Sequence, residues 1–141
     1  MSELELTVEK TIKAPIEKVY KAWLNPELLA QFMRPAADVS IPEVAVDAKV
    51  GGKFKIIMMS GENSLPHSGE YKELTPFTKM VFTWESPFSM EGSTVTLNLK
   101  AQDGGTHISL HQIKFPSEES RDNHNGGWSK ILSALDSFLT N

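Results

Sequence analysis

Between residues 39 and 113 the apolar side chains recur mainly at every second position, and beyond residue 117 they recur at every third or fourth. A period of two is typical of strands with one buried face, whereas a period near 3.6 is typical of an amphipathic helix. The change of period therefore predicts a run of antiparallel strands followed by one long helix. Because each element has only one apolar face, the helix must pack against the sheet.

The first part of the chain predicts one strand and two short helices. Apolar residues alternate from Leu4 to Ile12, and Pro15 then suits the first position of a helix. The run Asn25-Pro26-Glu27 combines a cap residue, a proline and an acid, which predicts the start of a second helix. The fold class is therefore α+β: a curved antiparallel sheet of about six or seven strands, two short helices after the first strand, and a long C-terminal helix across the concave face.

Turn residues and prolines subdivide the predicted sheet. Pro42 interrupts an early strand, which predicts a sheet edge or a bulge there. The segment 60–68 is rich in glycine, serine and proline and is interpreted as a loop. Gly69 is a candidate bulge that would reverse the facing of the residues after it. Asp103-Gly104-Gly105 predicts a hairpin turn between two alternating strands.

The last segment predicts a capped helix with an apolar stripe. Ser117 can cap its first turn, where Glu118 and Glu119 suit the positive end of the helix dipole. Gly126-Gly127 lies inside this helix, where two glycines cost about 2 kcal/mol relative to alanine. The stripe consists of Trp128, Ile131, Leu132, Leu135, Phe138 and Leu139.

Composition excludes several classes of protein. A chain of 141 residues is expected to be one domain, residues 1–141. Fourteen basic against eighteen acidic residues give a formal charge of −4, which argues against a nucleic-acid partner. No apolar run reaches the roughly 18 residues of a spanning helix, so membrane insertion is not expected. The absence of cysteine removes disulfides and thiolate metal sites. We also expect no cofactor, a monomer, and, since no signal peptide is visible, a cytoplasmic location.

Seven short pieces, spread in order over nearly the whole chain, carry a family resemblance. They are Ala14-Pro15 with Val19 and Trp23, Asn25-Pro26-Glu27-Leu28, Val50-Gly51-Gly52-Lys53-Phe54, Gly69-Glu70-Tyr71 with Pro76, Val81-Phe82-Thr83-Trp84, Gly105-Thr106, and Gly127-Trp128 with Leu132 and Leu135. Together they resemble the START-like (helix-grip, Bet v-like, SRPBCC) superfamily and, within it, the activator of heat-shock-protein-90 ATPase homologue family. The resemblance implies a stand-alone domain of the C-terminal type, without the separate N-terminal chaperone-binding domain of the eukaryotic co-chaperone.

The resemblance also implies a cavity between the sheet and the C-terminal helix. Its expected ligand is an apolar or amphipathic small molecule of the lipid or the polyketide and aromatic type. Methionine and aromatic side chains suit such a cavity, because methionine adapts its shape and aromatic rings give broad contact area. We predict these ligand-binding residues: Phe32, Met58, Trp84, Leu110, Gln112, His124, Trp128 and Ile131, with Arg34 and Phe88 at the mouth. Related proteins often carry a histidine where this chain has Gln112, so a role for that histidine does not transfer.

Other interpretations of the same residues stay open. The large inward side chains can simply fill a core, which is their usual role. A chaperone-associated protein-interaction domain and a polyketide-cyclase-like enzyme are alternative functions, although the outward positions look mostly polar and no catalytic constellation is visible. His67 and Glu73 would be about 20 Å apart on an extended strand, too far for a direct dyad.

The spacing of two histidines argues against a metal site. His107 and His111 lie four residues apart on a predicted strand, with Cα atoms about 13 Å apart, so they cannot chelate one ion.

A ligand would need a route into the cavity beneath the C-terminal helix. The candidate lids are the loop 60–68, the turn around Pro87 and Phe88, and the first turns of the long helix before Gly126-Gly127.

Overall fold

The computed structural model describes residues 4–34, 39–86 and 92–140. Within them the chain forms seven strands and three helices, in the predicted order of one strand, two short helices, six strands and one long helix. The elements are β1 (Glu5–Ile12), α1 (Ile16–Ala22), α2 (Pro26–Phe32), β2 (Val39–Val46), β3 (Lys53–Ser60), β4 (Asn63–Thr75), β5 (Lys79–Thr83), β6 (Thr94–Gln102), β7 (Gly105–Ile113) and α3 (Glu118–Thr140).

The strands form one curled antiparallel sheet in the order β1-β7-β6-β5-β4-β3-β2. β1 lies beside β7, with Glu5 opposite Ile113 and Ile12 opposite Thr106. β2 forms the other edge, and its register shifts between Ser40 and Glu43, so the prediction from Pro42 is confirmed. The helix-grip architecture and the α+β class are likewise confirmed.

The segment 60–68 is not a loop, which corrects the sequence-based interpretation. Ser60 pairs with Asn63 across a two-residue turn in which Gly61 has φ +62°, and the chain then continues as β4. Pro66 is tolerated because this half of β4 has β3 as its strand partner, while the described residues on its other side form only the isolated bridge between Ser68 and Glu85. Segment 60–68 is therefore a turn followed by the first part of a paired strand.

β4 changes neighbours along its length. It pairs with β3 up to Glu70 and with β5 from Tyr71 onward. The register shift lies between Tyr71 and Glu73, and not at Gly69 as the sequence suggested. Gly69 has a different role, because a Cβ atom there would collide with the carbonyl oxygen of Thr83.

The helices are capped as predicted. Asn25 Oδ1 accepts hydrogen bonds from the backbone N–H groups of Glu27 (2.9 Å) and Leu28 (3.2 Å) at the start of α2. Ser117 Oγ accepts one from the backbone N–H of Ser120 at 3.1 Å, at the start of α3. Each cap satisfies donors that the first helical turn cannot pair internally.

The helix α3 runs without a break through Gly126-Gly127 and buries one face on the concave side of the sheet. The predicted stripe is confirmed except at Phe138, which is 37% exposed. None of the described helices is long and apolar enough to cross a membrane. The buried members of the stripe are Trp128, Ile131, Leu132, Leu135 and Leu139.

Candidate ligand-binding cavity

A cavity of about 450 Å³ lies between the β3–β4 end of the sheet and the N-terminal half of α3. This volume lies within the range of small-molecule sites. The sheet contributes Met58, Leu65, His67 and Trp84; the segment before α3 and α3 itself contribute Pro116, Ser117, Glu119, Ser120, Asn123, His124, Gly127, Trp128 and Ile131.

Two indole rings form the floor of the cavity. The ring centroids of Trp84 and Trp128 are 4.8 Å apart, with an interplanar angle of 59°. The indole N–H of Trp128 donates to Gln112 Oε1 at 2.7 Å, and Gln112 Nε2 donates to Ser93 Oγ at 2.8 Å. Ser93 in turn donates to the backbone oxygen of Ile113 at 2.9 Å. This buried chain of hydrogen bonds fixes the orientation of Trp128.

His67 lies on the sheet side of the cavity and is 7% exposed. Its Nδ1 atom is 2.9 Å from the backbone oxygen of Leu65, and its ring centroid is 5.0 Å from that of Trp84. The pKa of His67 is lowered from 6.5 to about 4, mainly by burial and to a smaller extent by the neighbouring His124, while the hydrogen bond to Leu65 opposes the shift. His67 is therefore neutral at pH 7.

His124 faces the cavity from α3. Its Nδ1 atom is 2.7 Å from the backbone oxygen of Ser120, and its ring packs against Phe115 at a centroid distance of 5.2 Å. Burial lowers the pKa of His124 as well, although the hydrogen bond to Ser120 opposes the shift. The cavity thus has a neutral imidazole on each side.

The remaining polar groups give the cavity little charge. Among the lining residues that belong to the described part of the chain there is no lysine or arginine, and Glu119 is the one carboxylate. Glu118 and Glu119 lie in the first turn of α3, where their charges oppose the positive end of the helix dipole. Ser117 already satisfies one of the free backbone donors of that turn.

Beyond Trp84 the cavity gives way to the packed core. A void of about 10 Å³ lies there, and Trp23, Met33 and Tyr71 are among the residues around it. The indole N–H groups of Trp23 and Trp84 are buried without a hydrogen-bond partner in the described structure. Trp84 therefore separates a packed core from the cavity.

The structure brings some of the predicted binding residues to the cavity and leaves others out. Phe32 is fully buried and packs edge-on against Trp23 at 5.2 Å, while Leu110 is buried in the core. The amide of Gln112 is occupied by Trp128 and Ser93. These three residues do not line the cavity. The five that do are Met58, Trp84, His124, Trp128 and Ile131.

The two predicted mouth residues are not part of the described cavity lining. Arg34 Nε donates to the backbone oxygen of Val39 at 2.7 Å, near the start of β2. Phe88 and the turn around it lie outside the described residues.

Sequence reasoning missed the polar half of the lining. Alternation through Leu65, His67 and Tyr71 was the available signal for the sheet side. It was not used because Leu65 fell in the predicted loop and a possible bulge at Gly69 left the facing of His67 and Tyr71 open. On α3, Gly127 borders the cavity with no side chain to occupy it. The other overlooked lining residues are Pro116, Ser117, Glu119, Ser120 and Asn123.

The two remaining histidines lie on the opposite face of the sheet. His107 Nε2 is 2.8 Å from a carboxylate oxygen of Glu9, and His111 Nε2 is 3.0 Å from one of Glu5. In the described part of the chain no group of three or more histidine or acidic side chains could hold a metal ion.

Comparisons with known proteins identify relatives of the chain. The family model "Activator of Hsp90 ATPase homolog 1-like protein" matches residues 13–140. The human "Activator of 90 kDa heat shock protein ATPase homolog 1" is 26% identical over 124 residues, which are 86% of this chain but 33% of that protein. This chain thus spans about a third of the length of its curated relative.

Solved structures show the same fold. A Chromobacterium violaceum protein superposes with a TM-score of 0.87 at 24% identity, covering 97% of both chains. An AHSA1-like protein from Aeromonas hydrophila gives a TM-score of 0.85 at 22% identity, covering 97% of this chain and 92% of that one.

Proposed function

Because the chain belongs to the Activator of Hsp90 ATPase homolog 1-like family, whose fold places a long helix over a curled sheet, we propose that it binds an apolar or amphipathic small molecule in the cavity beneath α3. The observation that carries the proposal is the cavity of about 450 Å³, with an indole floor and a few convergent polar groups. This combination is typical of small-molecule sites. We expect the protein to act as a monomer in the cytoplasm.

Two tryptophans in the cavity provide the readout. A ligand beside Trp84 and Trp128 should change their fluorescence and shift their indole N–H signals in two-dimensional NMR spectra. We would titrate the labelled protein with fatty acids, flavonoids and aromatic polyketide-like compounds. We expect saturable shifts in the signals of both indoles and of His67 and His124. The proposal would be overturned if no compound in the library shifted these signals.

A pair of variants separates the cavity from the rest of α3. Ile131→Trp places a larger side chain against the cavity and should weaken binding at least tenfold, since the added ring occupies ligand volume. Phe138→Trp makes a similar change at a position that is 37% exposed on the same helix. It should leave binding unchanged, and equal weakening by both variants would argue that the ligand binds elsewhere.

A chaperone-related interaction is the second candidate, favoured by the human relative, whose name assigns it an activity towards a heat shock protein ATPase. Large exposed apolar side chains in the described structure are limited to Val50, Phe77 and Phe138. Such scattered residues do not form an evident docking patch. Stimulation of a purified 90 kDa chaperone's ATPase by this chain would support this candidate.

A polyketide-cyclase-like enzyme is the third candidate, favoured by the two neutral imidazoles in the cavity. A neutral histidine can act as a general base when its unprotonated nitrogen reaches a substrate proton. His124→Ala distinguishes an enzyme from a carrier. Lost turnover with unchanged affinity would indicate an enzyme, and lost affinity alone would indicate a carrier.

A further inference from the structure

We propose that the ligand is an uncharged planar molecule that carries a hydroxyl donor, of the phenol or enol class, and that this hydroxyl donates to Nε2 of His67 or His124. The inference rests on the proposed function and specifies its ligand. Three features of the cavity support it: the tautomer of its histidines, its lack of a cation and its indole floor.

The tautomer follows from the partners of the two rings. Nδ1 of His67 faces the backbone oxygen of Leu65 at 2.9 Å, and Nδ1 of His124 faces that of Ser120 at 2.7 Å. A carbonyl oxygen can only accept, so Nδ1 must carry the hydrogen in both rings. In a neutral imidazole the other nitrogen, Nε2, is then an acceptor. Within the described structure neither Nε2 atom has a hydrogen-bond partner.

The two acceptors set the polarity of the ligand. A hydroxyl group can donate to an imidazole nitrogen, whereas an ether oxygen or a carboxylate cannot. Burial strengthens this selection. An imidazole nitrogen that loses its water when a ligand binds, and gains no hydrogen-bond donor in exchange, weakens the binding of that ligand. Burial also keeps both rings neutral at pH 7, so neither becomes a donor for an anion.

The charges around the cavity argue against a carboxylate ligand. The described lining residues include no lysine or arginine, and Glu119 lies on the α3 side of the cavity. The first turn of α3 could attract an anion through its dipole. That turn already carries Glu118 and Glu119 and is capped by Ser117. A fatty acid would therefore bring a second negative charge to Glu119 and find no cation.

The indole floor sets the shape of the ligand. Trp84 and Trp128 present ring surfaces at a 59° angle, and Met58 and Ile131 complete the apolar lining. An aromatic ligand gains from offset or edge-to-face contact with such rings as well as from burial. A volume of about 450 Å³ is sufficient for a fused two-ring molecule.

Three naphthalene probes test the inference in the wild-type protein. At pH 7, 2-naphthol presents a hydroxyl donor, 2-methoxynaphthalene has the same rings without the donor, and 2-naphthoate is an anion. Titrations followed by tryptophan fluorescence and calorimetry should show naphthol binding about tenfold more tightly than the methyl ether. Naphthoate should bind at least tenfold more weakly than naphthol.

Variants assign the preference to the two histidines. In the double variant of His67→Phe and His124→Phe, naphthol and its methyl ether should bind within twofold of each other. His111→Phe, on the other face of the sheet, should retain the tenfold preference. The wild-type probe series decides the question alone if the double variant does not fold.

The outcomes separate the two proposals. Saturable binding of naphthol and its ether with equal affinity, or tighter binding of naphthoate, would overturn the hydroxyl inference and leave the small-molecule site standing. If none of the three probes binds and the wider library is also silent, the proposed function fails and the inference fails with it.

Discussion

The chain has two pairs of histidines, one on each face of the sheet. His107 and His111, on the outer face, contact carboxylates and retain about a third of their side-chain exposure. His67 and His124 line the cavity, contact only backbone oxygens through Nδ1, and have lowered pKa values. One residue type thus has two roles.

The comparison shows that the chemistry of a histidine depends on which group its ring contacts. On the outer face each ring has a carboxylate oxygen within 3.0 Å of its Nε2 atom. In the cavity burial disfavours the protonated ring, and the carbonyl partners orient Nε2 as an acceptor. Strand parity places His67 on the concave face and His107 and His111 on the outer face, whereas His124 reaches the cavity from α3.

The largest effect is expected from two adjacent residues of β7 that face opposite sides. Gln112→Ala removes a fully buried amide and leaves the indole N–H of Trp128 without its acceptor. A loss of about 4 kcal/mol in the free energy of unfolding is expected from the cavity and the unpaired donor together. His111→Ala should cost no more than about 1 kcal/mol, because its ion pair with Glu5 is exposed. Urea unfolding of both variants measures the contrast, and equal losses would contradict it.

The next largest effect is the pH dependence that His67 gives to stability. Its pKa is near 6.5 when unfolded and about 4 when folded, so between these values the unfolded chain binds more protons. Stability is therefore full above pH 6.5 and falls as the pH is lowered towards 4, by up to about 3 kcal/mol. His67→Gln cannot titrate and should reduce this slope. Urea midpoints at pH 7, 6, 5 and 4 would show it, and an unchanged slope would refute the assignment.

A smaller effect is expected at the mouth of the cavity, where a polar residue has a structural role. Ser117→Ala removes the cap of α3 and should cost about 1 kcal/mol of unfolding free energy. Ser117→Asp retains an acceptor at the same exposed position and should restore most of the loss. Thermal unfolding compares the three proteins, and identical midpoints would show that the cap contributes nothing.

The smallest effect is expected from the outer histidines themselves. A double-mutant cycle with His107→Gln and Glu9→Gln should give a coupling free energy below about 1 kcal/mol, because Glu9 is 58% exposed. The coupling should shrink further in high salt, which screens exposed charges. A coupling of several kcal/mol would remove the contrast between the two faces.

Periodicity was sufficient to predict most of the fold. The strand alternation, the stripe on α3 and the caps at Asn25 and Ser117 are local signals that the folded chain retains. The prediction failed at segment 60–68, where glycine, serine and proline masked a strand. Proline can occupy a strand that has a full partner on one side only, and the sequence does not reveal which part of a strand is paired in this way.

The site was predicted less completely. Strand parity identifies which side chains face inward, but it does not show whether those side chains line an open cavity or contact other side chains. Leu110 and Gln112 face inward as predicted, yet other side chains fill the space around them. His67 was placed at the start of a strand, but it was not assigned to the cavity because a possible bulge at Gly69 left the facing of that strand open. Which part of the concave surface stays open depends on how α3 packs against Trp84, and this packing is set by the tertiary structure as a whole.

The pairing of β1 with β7 has a consequence for the newborn chain. β1 leaves the ribosome before the other strands of the sheet, but its hydrogen-bonding partner β7 ends only at Ile113. At about 5 to 20 residues per second, β1 must wait for several seconds with an unpaired edge. Cotranslational folding can therefore build the hairpins from β2 to β6 first, and the sheet closes only when the last strand emerges. A ribosome stalled after β6 should hold a partly formed sheet that proteases cut within β1.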